Sequence, residues 1–171
     1  CGLGDSRISI AYEAQDSSRI QPYPRIGTYI YWGDMRNFPN DVCYGNLLEC
    51  GDYNPHPPLQ LGEWTCVEVM IKLNNPVTAY NGELRTWING EETGHWGPGF
   101  PKGKWVWGNF FIDPSGEPFE GFRWRTDEDL NINWIWLEFY HDYAEAPDSY
   151  IQFDHVVMAK EYIGPIYEPG E

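Results

Sequence analysis

The sequence predicts an all-β protein, an antiparallel sandwich in a single domain spanning residues 1–171, on three observations. Short runs with alternating apolar and polar side chains recur along the chain, turn-forming residues punctuate them, and helical periodicity is nearly absent. Phe, Trp and Tyr make up 17% of the 171 residues, and 18 Gly and 14 Pro accompany them, a composition that suits many short strands joined by tight turns. A sandwich of this length buries a continuous core without help from metals.

The expected strands, in order, are Ser6–Ala14, Gly27–Gly33, Glu63–Leu73, Gly82–Ile88, Leu130–His141 and Ser149–Lys160. Successive strand side chains point to opposite faces, so Thr65, Val67, Val69, Ile71 and Leu73 form the core face of the third, with Cys66, Glu68, Met70 and Lys72 opposite. Gly82–Ile88 runs into Asn89-Gly90, a strong hairpin-turn signal, and places Arg85 and Trp87 on the side away from Leu84 and Ile88. In Leu130–His141, Ile135, Leu137 and Phe139 share one side, and Trp134, Trp136, Glu138 and Tyr140 the other. A solvent-facing sheet surface seldom spends that many rings, so this second side is either covered by another segment or forms a ligand groove.

Turns are expected at Asn54-Pro-His-Pro-Pro58, Asn74-Asn-Pro76, Gly97-Pro-Gly99 and Asp113-Pro-Ser-Gly116, where Pro fixes φ and Gly or Asn accepts left-handed backbone. Residues 95–125, with Trp96, Trp105, Trp107 and Trp124, are expected as a long aromatic-rich insertion or loop, the kind of segment that caps something or carries function.

Asp and Glu total 26 against 11 Lys and Arg, a formal charge of −15 that repels a phosphate backbone or an anionic bilayer. No nucleic-acid partner is expected. No run reaches the roughly 18 apolar residues of a membrane span.

The four cysteines are Cys1, Cys43, Cys50 and Cys66. Cys43 and Cys50 flank a short loop that a disulfide closes easily, which implies an oxidising compartment and a secreted or cell-surface location. Cys66 is either a free thiol or a partner for Cys1, and Cys1 itself reads equally as a lipidated first residue or as a cleavage boundary. No C-x-x-C and no Cys/His cluster appears, so zinc and haem are unsupported and no cofactor is required. Asp113, Asp127, Glu128, Asp129 and Asp154 offer hard oxygen ligands for a structural calcium, without the spacing of a dedicated loop.

One set of motifs resembles a known family. Gly62-Glu-Trp-Thr-Cys-Val-Glu68, Lys72-Leu-Asn74, Asn81-Gly-Glu-Leu84, Trp87-Ile-Asn-Gly90, Phe153-Asp-His-Val-Val157 and Tyr162-Ile-Gly-Pro165 follow the order and spacing of the concanavalin A-like jelly rolls of the family 14 polysaccharide lyases and their relatives. The resemblance spans roughly residues 27–165. It implies a jelly-roll sandwich, an acidic-glycan cleft on one sheet, and β-elimination by basic and tyrosyl side chains. Ser6-Arg7 is similar to the Ser/Arg strand of that cleft, and Tyr29-Ile-Tyr31 to its Tyr-x-Tyr strand. The family's lysine lies on a strand before the Ser/Arg strand, so either strands precede Cys1 or that lysine is absent.

On this reading Arg7 neutralises a uronate carboxylate, and Tyr29 or Tyr31 removes the C5 proton, nearby cations lowering the tyrosine's pKa. Lys72 joins Arg7, Tyr29 and Tyr31 as a catalytic candidate. Ser6, Glu68, Arg85, Trp87, Trp134, Trp136, Glu138 and Tyr140 are the candidate glycan contacts. Glu68 and Glu138, if they face the same cleft, favour a neutral sugar instead. Plainer roles stand beside these: Lys72 as a solvated charge or an ion pair with Glu68 or Glu138, and His141 beside Asp142 as structural, since strand neighbours point to opposite faces.

Three functions follow: a glycan-binding module, slightly preferred; a polysaccharide lyase; and a structural extracellular domain that self-associates through the aromatic insertion.

Overall fold

The computed structural model describes residues 7–15, 24–48, 56–139 and 150–166. Among the described residues nine strands form two sheets, and the structure is nearly all β. The strands are β1 (Ser9–Gln15), β2 (Arg25–Tyr31), β3 (Asn46–Leu47), β4 (Val67–Lys72), β5 (Glu83–Ile88), β6 (Glu91–Trp96), β7 (Lys102–Val106), β8 (Asn109–Ile112) and β9 (Glu117–Pro118). The large sheet has the order β1-β2-β3-β8-β7-β9 and the small sheet β4-β5-β6. Pairing is antiparallel except at Leu47 and Asn109, where β3 meets β8 in parallel.

The alternation read from sequence sets the two faces of the small sheet. Leu84, Thr86 and Ile88 are buried, whereas Glu83, Arg85 and Trp87 look outward. Val69 and Ile71 of β4, with Leu73 just beyond it, pack on the same core; Val67 at the strand's start is exposed. At the β5–β6 turn Asn89 (φ 52°) and Gly90 (φ 85°) both occupy the left-handed region that a tight two-residue hairpin demands.

From the large sheet, Ile30, Leu48 and Phe110, with Trp32 just past β2, meet Leu84 and Trp96 of the small sheet, so the sheets enclose one core as a β-sandwich. Thr86 Oγ1 donates to Tyr12 Oη across the core at 3.1 Å, which satisfies a fully buried hydroxyl and ties the sheets together. Aromatic rings run through the centre in contact: Phe110 with Phe119 (centroids 5.2 Å apart), Phe119 with Phe122 (4.8 Å), and Phe122 stacked on Trp124 (3.9 Å, 12° between planes). Buried Asn46 anchors the loop after β2, accepting from Trp32 Nε1 (3.2 Å) and Arg36 N (2.8 Å) and donating to Arg36 O (3.0 Å).

Two expectations are corrected. Residues 95–125 are not a loop laid over the sandwich: they hold the end of β6 and all of β7, β8 and β9, and their Trp96, Phe110, Phe119, Phe122 and Trp124 build much of the core. The stretches expected as strands at 130–141 and 149–160 carry no strand where the structure describes them, 130–139 and 150–160. Both sides of the first are exposed, Ile135, Leu137 and Phe139 as well as Trp134 and Trp136. Alternation sorts side chains onto two sides, but a strand also needs a hydrogen-bonding edge, and among the described residues no ladder forms there.

Candidate functional site

The outer face of the large sheet collects three of the four residues expected for catalysis, Arg7, Tyr29 and Tyr31, because β1 and β2 pair antiparallel with Ser9 opposite Tyr31 and Ala11 opposite Tyr29. Tyr29 and Tyr31, two apart on β2, point to the face opposite buried Thr28 and Ile30. Their hydroxyls lie 3.1 Å apart and their rings meet edge to face, centroids 5.2 Å apart. The Arg7 guanidinium lies over the Tyr31 ring, 5.7 Å from its centroid. Ser6 lies outside the described residues.

Gly45 fixes Tyr29. Its N–H donates to Tyr29 Oη at 2.8 Å, and a Cβ added there would stand 2.6 Å from the ring, so only glycine lets the phenol lie on the backbone. Burial pushes the Tyr29 phenol up to about 12, and the Tyr31 hydroxyl adds to the rise. The N–H of Gly45 opposes it, and the negative charge of Glu13 reinforces it. Among the described residues no cation lowers Tyr29, and the Arg7 guanidinium sits on the other ring.

The remaining candidates lie elsewhere. Register places Lys72 opposite Glu83, and Lys72 Nζ meets Glu83 Oε1 at 2.6 Å. The ion-pair partner of Lys72 is therefore Glu83, neither Glu68 nor Glu138. Arg85 lies on the same outward face, its Nε donating to His95 Nε2 at 2.9 Å, with Glu92 3.6 Å away. Glu68 grips the chain's own later residues: Ile163 N and Gly164 N donate to its two carboxylate oxygens at 2.8 and 2.9 Å. Trp87 packs against Tyr162, centroids 5.1 Å apart.

Trp134 and Trp136 share one side of their segment, 5.5 Å apart, and are exposed together with Glu138. Tyr140, His141 and Asp142 lie outside the described residues. The structure thus unites Arg7, Tyr29 and Tyr31 and, on a different sheet, Lys72, Arg85 and Trp87 with Glu68.

Cys66 is a free thiol, which settles its two readings; Cys1 and Cys50 lie outside the described residues, so the Cys43–Cys50 pairing does too. Among the described residues no three His, Cys, Asp or Glu side chains gather to hold a metal. Asp113 is engaged by Ser115 Oγ (2.7 Å), Ser115 N (2.9 Å) and Lys104 (3.1 Å), which hold its carboxyl down at about 2.

Glu83 has a pH signature. The Lys72 hydrogen bond lowers its pKa, burial opposes that, and His95 assists. A folded-state pKa below the unfolded one adds stability above the unfolded value, and that stability is lost as pH falls through the folded value. Glu83→Gln is expected to cost no more than about 1 kcal/mol at neutral pH. In urea titrations run downward from pH 7, the gap to the parent should narrow as pH falls through the lowered Glu83 pKa and its carboxylate takes up a proton.

Sequence reading missed Gly45, whose role depends on a ring sixteen positions away, and a cleft lined by Pro57, Pro58, Leu59, Gln60, Glu63, Trp64, Thr65, Ile88 and Asn89. The visible signal for the cleft was a tryptophan in a Gly- and Pro-flanked turn.

Compared with known proteins, the chain matches no family model, no curated protein and no solved structure. The likeness to the lyase jelly rolls rests on the motifs quoted above.

Proposed function

We propose that this chain is a non-catalytic glycan-binding module of the extracytoplasmic jelly-roll kind, with Arg7, Tyr29 and Tyr31 on the large sheet as its contact face. The observation that carries the reading is the Tyr29–Tyr31 hydroxyl pair with Tyr29 held at about 12. At pH 7 such a phenol is ionised in about one molecule in 10⁵, a poor general base for the C5 proton of a uronate. The two hydroxyls, 3.1 Å apart, can donate to and accept from adjacent sugar hydroxyls. The Arg7 guanidinium over Tyr31 supplies further donors at the edge of the face.

The test is affinity electrophoresis through gels cast with neutral and uronate polysaccharides, run beside an absorbance assay at the unsaturated-uronate band. The expected result is retardation by at least one polysaccharide, weakened about tenfold by Tyr31→Ala, with no rise in absorbance. A rise that Tyr31→Phe abolishes would instead establish the lyase. Retardation by none of the polysaccharides, with folding intact, would remove the glycan reading.

A further inference from the structure

The cleft at the turn end of the small sheet lies apart from the tyrosine pair and has a volume of about 290 Å³. That is just below the roughly 300–1,000 Å³ typical of small-molecule clefts, room for one or two sugar rings rather than a long chain segment.

Both walls are tied down. On one, Leu59 N donates to Pro24 O at 2.8 Å, the Arg25 guanidinium bonds His56 O, and buried His56 meets Thr93 Oγ1 through Nδ1 at 2.6 Å. These contacts fasten Pro57–Gln60 to both sheets. On the other, Asn89 and Cys66 clasp each other: Asn89 N donates to Cys66 O, and Cys66 N to Asn89 Oδ1, each at 2.9 Å. A site already shaped before its ligand arrives avoids the ordering cost of forming one.

The lining selects a ligand class. Trp64 is 67% exposed, an indole face presented to solvent beside an open cleft. Gln60, Glu63 and Thr65 stand around it, and no hydrogen bond or ion pair engages their side chains among the described residues. A flat apolar ring beside amide, carboxylate and hydroxyl groups matches a pyranose, which has an apolar C–H face and a rim of hydroxyls. Among the described residues no Lys, Arg or His lines the cleft, and Glu63 adds a negative charge. An anionic sugar is therefore repelled and a neutral one accepted.

We propose that this cleft is a subsite for a neutral monosaccharide or disaccharide unit, with Trp64 as stacking platform and Gln60 and Glu63 as hydroxyl partners. It rests on the glycan-binding reading for its ligand class but uses a separate surface.

The experiment follows the Trp64 indole N–H signal by nitrogen-15 NMR of the full chain, titrated with cellobiose, maltose, laminaribiose, lactose and a galacturonate dimer. The expected result is a saturable shift with at least one neutral disaccharide, none with the galacturonate dimer, and at least about tenfold weaker binding in Trp64→Ala, read at the amides of 59–65. Since Trp64 is exposed, that variant should keep the parent's unfolding midpoint. Glu63→Gln should let the galacturonate dimer bind. No Trp64 shift with any neutral disaccharide, or equal shifts at 59–65 in Trp64→Ala, overturns the subsite. If retardation by polysaccharide still depends on Tyr31, the subsite alone falls; if that also fails, the glycan reading falls with it.

Discussion

Trp124→Ala is expected to remove about 3–5 kcal/mol of stability, the range for truncating a fully buried large aromatic side chain. Trp124 is 1% exposed, stacked on Phe122 and tilted against Trp32 at 5.7 Å, and its ring lies so close to Gly82 that a Cβ there would stand 2.6 Å from it. Rigid rings and backbone border the hole that would be left, so the surroundings cannot collapse into it and most of the cavity cost remains. Trp124 Nε1 has no hydrogen-bond partner among the described residues. Trp124→Phe sheds that unsatisfied donor while keeping most of the stack, and should cost well under half as much. Chemical denaturation of both variants beside Trp136→Ala, an exposed site expected to change stability by no more than about 0.5 kcal/mol, separates packing from mere loss of tryptophan. A Trp124→Ala loss below about 1 kcal/mol would mean that the Phe122–Trp124 stack does not hold the core.

Trp124 also marks where the sequence could be read and where it could not. Strands β4 and β5 and their faces were legible because each spans six residues with apolar side chains on one side, long enough for a period of two to show. The Asn89-Gly90 hairpin was legible because left-handed backbone at both turn positions restricts the residue choice. Strands β7 and β8, of five and four residues, were not. Gly103 interrupts their pattern, and it is glycine because a Cβ would stand 2.4 Å from Phe111 O. The pairing of Lys72 with Glu83 is a matter of register, and register joins residues eleven apart that no local pattern links.

For the candidate site, the common face of Tyr29 and Tyr31 followed from their spacing, whereas the raised pKa of Tyr29 followed from burial and the Tyr31 hydroxyl, against the Gly45 N–H that lowers it, an environment supplied by the fold. Residues 130–139 alternate much as β4 does, yet among the described residues they form no ladder, since alternation specifies sides and not partners. The cleft at Trp64 draws lining residues from 57 to 89, and only the folded turn brings them together.

Gly121→Ala should be nearly as damaging as Trp124→Ala, for a reason that is steric instead of hydrophobic. Gly121 sits at φ 87°, and a Cβ there would stand 2.1 Å from Tyr80 O and 3.1 Å from Pro98 Cγ. The left-handed backbone alone costs alanine about 1 kcal/mol. The Tyr80 oxygen is main chain and cannot rotate aside, so the 80–82 and 121–122 segments must separate. That strains the reciprocal bonds between Gly82 and Phe122, 2.9 and 3.2 Å, which hold the Phe122–Trp124 stack over the small sheet. The combined loss should be about 3 kcal/mol or more. Gly99 provides the internal control: its φ is 94°, yet nothing lies within 4 Å of its would-be Cβ. Gly99→Ala should therefore show only the backbone part, about 1 kcal/mol. Urea unfolding of the two variants measures the difference directly. Equal losses would mean that Tyr80 moves freely and that the clasp at Gly82 and Phe122 contributes little to the fold.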